Sequence, residues 1–410
     1  MQLTSVFRCA ILCTSTLFCI STKSIPSASQ SSVPTRGDHQ IVPKLKRIAG
    51  LQFKAAILSL DLTEGSLASA ALRDGSVQIW NVDTGQIVHE ISTAESGPRQ
   101  GQFQKNELIC ARFASGGKIL AVSHADIISI YEVNTWREVK SLKPPTESSE
   151  LDHTSAEPDS AGYLRMVITD FSFTADGRNI VAAYCHVGCA PGAIFDGIRS
   201  RSVGSDPIRL WDIENKKIIW EHPSTQPEVP ERVVTSQNGE FFATVSYTLL
   251  GEKRTIRMYD LRTGQEMYAL PQFDSNLPPA NVLFTRDSTQ FVTASRQSSK
   301  AQGKSQKDYC ERMHLGIYQT ATGNLISAIN NTNGAPDIAD LSPDDRWLAA
   351  STCMTVGFQL WDFRTQRAVE LIHPSWGYFA VDLIRFAPDG RTLAIGNSHE
   401  RLVATYRSEF

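Results

Sequence analysis

An apolar run that ends in an aromatic side chain recurs seven times between residues 51 and 410 of this chain. In each copy, two apolar runs joined by a polar turn come first, and a second turn with one short run usually follows. A fixed internal order repeated along a chain predicts one repeating structural unit. The aromatic positions are Trp80, Tyr131, Trp211, Tyr259, Tyr318, Trp361 and Tyr406.

The turns and the spacing of the copies predict what this unit is. The first turn of each copy combines Gly, Asp, Asn or Ser, which tight hairpins favour, so each copy is interpreted as four short strands, a to d. Successive aromatics are mostly about 43 to 60 residues apart, which suits a four-stranded propeller blade. We therefore predict an all-β fold, a seven-bladed β-propeller of four-stranded antiparallel blades, with scarce helix. The first turns are at residues 63–65, 115–117, 175–177, 237–239, 286–288, 343–345 and 388–390.

The seventh copy lacks its outermost strand, because the sequence stops at residues 407–410, just after the c strand. An unpaired edge strand is an aggregation hazard. The N-terminal segment 40–45 (Gln-Ile-Val-Pro-Lys-Leu) resembles the d strand at 86–91 (Gln-Ile-Val-His-Glu-Ile). We predict that a strand at about residues 40–47 closes the ring, which gives a propeller domain from 40 to 410; the alternative is a linker without a fixed partner.

Four tripeptides at the end of the c strands resemble the WD-repeat family: Ile79-Trp80-Asn81, Leu210-Trp211-Asp212, Met258-Tyr259-Asp260 and Leu360-Trp361-Asp362. The turns Ser342-Pro343-Asp344 and Ala387-Pro388-Asp389-Gly390 extend the likeness, which covers about 360 residues. The Gly-His dipeptide of that family is absent from every blade, so we expect aromatic packing to stabilise each blade. The resemblance implies closure of the ring by an N-terminal strand.

The first residues have the layout of a secretory signal. Arg8 precedes an apolar stretch from Cys9 to Ile20, and small residues follow, which predicts a signal peptide at 1–29, a linker at 30–39 and export of the chain. The apolar stretch is too short for a membrane span, and no later stretch is long enough either. A retained anchor, a lipoprotein and a cytosolic terminus are the alternatives.

Three long insertions fall in loops that a four-stranded blade places on one face, namely the b–c and d–a loops. They span residues 144–165, 185–207 and 296–314. Long loops on a rigid scaffold are the usual form of a binding surface, and the net charge of −3 gives no general case for nucleic acid. We predict a protein or peptide partner, no nucleic acid and no cofactor. The candidate contact residues are Glu147, Glu150, Asp152, Arg199, Arg201, Lys300, Lys304, Lys307 and Arg312.

Cysteines also concentrate near these insertions. In an exported protein pairing is favoured, so Cys185 with Cys189 and Cys310 with Cys353 are candidate disulfides, although the short loop between the first pair would strain the bond. Cys110 lies on an apolar strand, where a buried thiol is expected. The string Cys185-His186-Val187-Gly188-Cys189 lacks a second ligand cluster, which disfavours a metal or haem site.

The alternative function is catalysis in the central channel, as in a quinoprotein-like dehydrogenase or a lactonase-like hydrolase. Those reactions require convergent carboxylates with a metal, or a nucleophile oriented by a base. The sequence has no nucleophile-elbow motif and no phosphate-binding Gly-rich loop, and its histidines are scattered singly. A scaffold that binds a protein and does not catalyse is therefore the leading interpretation.

Overall fold

The computed structural model describes thirteen stretches of the chain, to which all structural statements below refer. The chain divides into two compact units, Met1–Ile41 and Val42–Phe410, and every described residue belongs to the second. The predicted signal peptide (1–29) and linker (30–39) lie outside these stretches and stay predictions. No helix of the described stretches has the length and hydropathy to cross a membrane. The stretches are 44–93, 109–114, 116–145, 164–188, 207–222, 228–248, 253–270, 273–274, 282–296, 313–329, 338–351, 357–374 and 381–409.

The described residues form seven antiparallel sheets arranged as the blades of a ring, which confirms the predicted fold class. The strands a to d of blade 1 are β2 (Ile57–Leu62), β3 (Leu67–Leu72), β4 (Ser76–Asn81) and β5 (Ile87–Ser92). Blade 2 has β6 (Ala111–Phe113), β7 (Ile119–His124), β8 (Ile127–Glu132) and β9 (Arg137–Leu142). Blade 3 has β10 (Leu164–Phe173), β11 (Asn179–Gly188), β12 (Ile208–Asp212) and β13 (Lys217–His222).

Blade 4 has β14 (Glu228–Thr235), β15 (Phe241–Thr248), β16 (Lys253–Asp260) and β17 (Glu266–Ala269), and β18 (Phe273–Asp274) also pairs with β16. Blade 5 has β19 (Val282–Phe284), β20 (Gln290–Arg296), β21 (Met313–Gln319) and β22 (Leu325–Ile329). Blade 6 has β23 (Ala339–Leu341), β24 (Trp347–Ser351), β25 (Phe358–Asp362) and β26 (Arg367–Ile372). Blade 7 has β27 (Leu383–Phe386), β28 (Thr392–Asn397), β29 (Leu402–Glu409) and, as its d strand, β1 (Lys44–Gln52).

An N-terminal strand closes the ring as predicted, but the predicted register is wrong. Strand β1 pairs antiparallel with β29 from Lys44 opposite Glu409 to Gln52 opposite Leu402. Arg47 lies opposite Tyr406, in the position that Ile87 has opposite Trp80 in blade 1. The equivalent of Ile87 is therefore Arg47, six residues after Ile41, which the sequence likeness had matched to Ile87. The shared Gln-Ile-Val triplet was misleading, because Val42 and Leu45 fit the apolar pattern of a d strand as well as Ile48 and Leu51 do. Pro43, which has no N–H to donate to a ladder, disfavours the predicted alignment.

The seven aromatic anchors occupy one equivalent position in the blades. Each lies on the c strand, opposite the second residue of its b strand, as Trp80 lies opposite Ala68 and Tyr406 opposite Leu393. Six of the side chains are at most 9% exposed, and Tyr131 is half-buried. The indole N–H groups of Trp80 and Trp361 have no hydrogen-bond partner among the described residues, whereas that of Trp211 donates to Tyr184 Oη at 3.0 Å.

A β-bulge lies beside the aromatic anchor in every blade, where one d-strand residue has no opposite residue on the c strand. The bulged residue is apolar each time, and five of the seven are 41–52% exposed. The β-bulge therefore accounts for most of the exposed apolar side chains on the outer strands. Because they are distributed over separate blades, these side chains do not form a single patch. The bulged residues are Ile48, Val88, Val139, Ile219, Met267, Ile326 and Val369.

The hydrophobic core consists of layers between blades. Seven clusters of buried apolar side chains each join two neighbouring blades, one at every blade interface. The cluster between blades 7 and 1 combines Phe53 and Trp80, whose rings meet edge to face at 5.4 Å, with Val403. A single blade could not bury both of its faces, so the closed ring is the stable unit.

Polar side chains fix the c–d turns. In four blades, an Asn or Asp at the end of the c strand accepts a hydrogen bond from the backbone N–H three residues later, at 2.8–3.0 Å. Such Asx bonds stabilise a turn where the backbone leaves the ladder. The acceptors are Asn81, Asp212, Asp260 and Asp362.

Candidate functional site

The predicted long insertions leave the ring at one end. In an antiparallel blade, the b–c and d–a connections lie at the same edge of the sheet. We call this end the insertion face and the opposite end, formed by the a–b and c–d turns, the turn face. Residues 143–163 join β9 to β10, 189–207 join β11 to β12, and 297–312 join β20 to β21.

A fourth long connection reaches the same face. Residues 93–110 join β5 of blade 1 to β6 of blade 2, which is another d–a connection. This connection was not predicted from the sequence. Blades 1, 2, 3 and 5 therefore each contribute one long connection to the insertion face.

The candidate contact residues all belong to these connections and lie outside the described stretches. Their assignment to the partner stays a prediction, and the strands that flank them fix only the face from which they depart. They are Glu147, Glu150, Asp152, Arg199, Arg201, Lys300, Lys304, Lys307 and Arg312.

The candidate disulfides are not tested either, because Cys189, Cys310 and Cys353 lie outside the described stretches. Cys185 itself is buried on β11, where it packs with Val167 and Val229 and is 1% exposed. Cys110 is a buried thiol without a disulfide, as expected, and burial raises the pKa of that thiol to about 12.

A cavity of about 250 Å³ lies where the innermost strands converge on the axis of the ring. Residues from the a strands, or just before them, of blades 1, 2, 3, 4, 6 and 7 line it. Its charged lining residues are three arginines and two acids: Arg112, Arg232, Arg385, Asp170 and Glu231.

Aspartates of the a strands connect neighbouring blades around this cavity. Asp61 Oδ2 accepts a 2.7 Å hydrogen bond from the backbone N–H of Phe113 in the next blade, and Asp340 Oδ2 accepts one of 2.7 Å from Phe386. Asp170 Oδ2 accepts a 3.0 Å bond from Val233 N–H. These carboxylates therefore stabilise the inner wall of the ring.

Two arginine–aspartate pairs accompany these bonds. Arg112 Nη2 lies 2.8 Å from Asp170 Oδ1, and Arg385 Nη1 lies 3.8 Å from Asp340 Oδ1. Burial alone would raise the pKa of Asp170, but Arg112, Arg232 and the hydrogen bonds outweigh burial and lower it. For Asp340 burial dominates over Arg385 and raises the pKa to about 6. The pKa of Asp61 is also raised by burial, against the attraction of Arg112 and Arg385.

The charged lining of the channel was missed by sequence reasoning, although a signal exists. Asp61, Arg112, Asp340 and Arg385 each stand two residues before the residue at which the a–b hairpin closes. Those residues are Thr63, Ala114, Ser342 and Ala387. Because the a strands surround the axis, this position brings opposite charges together only once the ring has closed. Aligning the copies on their first turns would have revealed the alternation.

No family model matches this sequence, and comparison with curated proteins finds no relative. Within the described stretches, no group of three or more His, Cys, Asp or Glu side chains is arranged to hold a metal ion. A proposal for the function therefore depends on the fold and on the placement of its charged residues.

Proposed function

We propose that this protein is a non-catalytic scaffold that binds a protein or peptide on the insertion face. The observation that supports the proposal is the placement of four long connections, from four different blades, at one end of a rigid ring. The opposite end carries short turns closed by backbone and Asx hydrogen bonds. Loops displayed on a rigid framework are where proteins usually bind partners.

Charge favours an oriented encounter with such a partner. Residues 147–159 are rich in Glu and Asp, and residues 296–312 are rich in Lys and Arg. Acidic and basic loops around one rim match a partner of mixed charge and accelerate its association. The lysines Lys300, Lys304 and Lys307 are the residues we assign to this role.

We also propose that the chain is a propeller of the WD-repeat type. The Asx-capped c–d turns that follow Trp80, Trp211, Tyr259 and Trp361 support this assignment, since the same residues carry the sequence resemblance. The missing Gly-His dipeptide is compensated by aromatic packing such as Phe242 against Tyr259, at 4.6 Å between ring centroids.

The experiment is a capture of partners with three forms of the tagged chain: the parent, a variant in which a Gly-Ser linker replaces residues 297–312, and a turn-face variant. The turn-face variant is Lys118→Ser, Arg178→Ser and Arg391→Ser, since each of these exposed residues follows a left-handed a–b turn glycine. The proposal predicts a protein retained by the parent and the turn-face variant and lost from the linker variant. A partner kept by a folded linker variant and lost from a folded turn-face variant would contradict the proposal.

Export is proposed on the sequence of residues 1–29. Removal of a signal peptide should leave a new N-terminus between about residues 22 and 35, following the layout of such segments. Mass spectrometry of the native protein measures it, and soluble protein that retains Met1 would refute the proposal.

A further inference from the structure

The channel holds more hydrogen-bond donors than its own acceptors satisfy. Arg232 on β14 lines the cavity, and its guanidinium has no hydrogen bond or ion pair with any described residue. Arg112 Nε is buried without a partner, and Arg385 is 3.8 Å from the Asp340 carboxylate, beyond hydrogen-bond distance. Each guanidinium has five N–H donors, and the hydrogen bonds between described residues around the cavity use only a few of them.

The carboxylates nearby are already engaged. Asp170 accepts bonds from Arg112 and from the backbone of Val233, and Asp61 and Asp340 each accept a bond from the next blade. Burial lowers the pKa of Arg232 more than the nearby Asp170 raises it. Arg232 is therefore a partly buried cation with incomplete compensation, which costs folding free energy unless another acceptor binds.

The three arginines approach the cavity from different sides. They belong to blades 2, 4 and 7, and the charges of Arg385 and Arg112 both act on Arg232. The volume of about 250 Å³ is below the range of roughly 300–1,000 Å³ of drug-sized pockets, so the occupant is small. The planar guanidinium fork matches the paired oxygens of carboxylate and phosphate.

We propose that the central channel binds one compact oxyanion, inorganic phosphate or a small carboxylate, between Arg112, Arg232 and Arg385. The anion supplies acceptors for the N–H donors of these arginines that no carboxylate occupies. This site is separate from the insertion face and does not depend on the proposed partner.

The test is a titration of the purified chain with inorganic phosphate and, separately, with malonate, followed by calorimetry and by melting temperature. Sodium chloride at equal ionic strength is the reference. We expect saturable binding and a rise in melting temperature with at least one anion, since a ligand of the folded state stabilises it. Binding of phosphate alone or malonate alone identifies the class, and binding of neither overturns the proposal.

Two channel variants and one control make the assignment specific. Arg232→Gln should weaken binding of the anion at least tenfold. Without anion this variant should melt no lower than the parent, because it removes a partly buried charge that is incompletely compensated. Arg232→Lys keeps the positive charge but lacks the planar guanidinium, so it should also weaken anion binding. This variant keeps the proposal testable if Arg232→Gln does not fold. Arg178→Gln, an exposed turn-face change, should leave the affinity unchanged. Parent-like affinity in a folded Arg232 variant would overturn the proposal.

Discussion

At the scale of single residues, Gly264 shows how tightly neighbouring blades fit. Its φ of +70° is left-handed, and a Cβ at this position would lie 2.9 Å from the ring of Trp220 in the preceding blade. Trp220 cannot easily move, because its Nε1 donates to Leu261 O at 3.0 Å and its ring stacks on Phe242. The c–d turn of blade 4 therefore serves both as a turn and as a contact surface for blade 3.

The first prediction compares two glycines of the same backbone conformation. Gly239 also has a positive φ, +73°, but a Cβ there meets nothing within 4 Å. Both Gly→Ala changes incur the left-handed cost of about 1–2 kcal/mol, and only Gly264→Ala adds the clash with Trp220. We expect Gly264→Ala to lower the free energy of unfolding by roughly 1 kcal/mol more than Gly239→Ala in denaturant titration. Equal losses of unfolding free energy in the two variants would show that Trp220 moves aside without a cost.

Asp340 leads to a prediction about pH. Its pKa is about 6 in the folded protein, so between the unfolded value of about 4 and 6 the folded state binds more protons. Stability contributed by Asp340 is present below about pH 4 and is lost as the pH rises through 6. We expect Asp340→Asn, which keeps an acceptor for Phe386 N–H, to reduce the fall in melting temperature between pH 4.5 and pH 7.

The control for that measurement is Asp176→Asn on the turn face. The pKa of Asp176 is lowered, because hydrogen bonds from Thr174 and Arg178 outweigh its partial burial, so it stays ionised across this interval. Asp176→Asn should leave the pH dependence as in the parent. The account of Asp340 fails if its variant shows the full parental pH dependence, because Arg385 and Asp61, which face it, would then be the groups that matter.

At the scale of elements, the d strand of blade 7 was predicted from the wrong residues for a physical reason. Every d strand places an apolar residue at the bulge, and six of the seven place another three positions later, as Ile48 and Leu51 do in β1. Val42 and Leu45 repeat the same spacing six residues earlier, so the apolar pattern fits both alignments and the pairing with β29 separates them. The aromatic anchors were found because packing fixes both their chemistry and their position.

Strand β1 closes the ring as the d strand of blade 7, and the third prediction concerns its removal. Leu45, Ile48 and Leu51 pack on the clusters between blades 6 and 7 and between blades 7 and 1. Deleting residues 44–52 should expose the edge of β29, lower the melting temperature and promote aggregation. A deletion of residues 2–39, which retains β1, is the control. A melting temperature unchanged by loss of β1 would contradict the closure.

At the scale of the whole molecule, closure of the ring brings residues from separate blades together at two places. The b–c and d–a connections of separate blades meet at the insertion face, and the a strands bring their charges together in the channel. The first consequence could be predicted from strand order alone. The second was missed, because inward-facing charges on one blade have no evident partner until the copies are aligned on their turns and placed around one axis.

The central claim, that a partner binds at the insertion face, is tested most directly by association rates. The partner recovered by capture is measured against the parent, the variant Lys300→Ser, Lys304→Ser and Lys307→Ser, and the turn-face variant defined above. Both variants lose three positive charges, so only the location of the charges differs. Measurements at 0.1 M and 1 M salt separate steering from contact, because the Debye length falls from about 10 Å to about 3 Å. We predict that the lysine variant associates more slowly than the parent at 0.1 M salt and at the same rate as the parent at 1 M salt. The turn-face variant should associate at the parental rate at both concentrations. Equal rates for the lysine variant and the parent, with loss of binding by a folded turn-face variant, would contradict the claim.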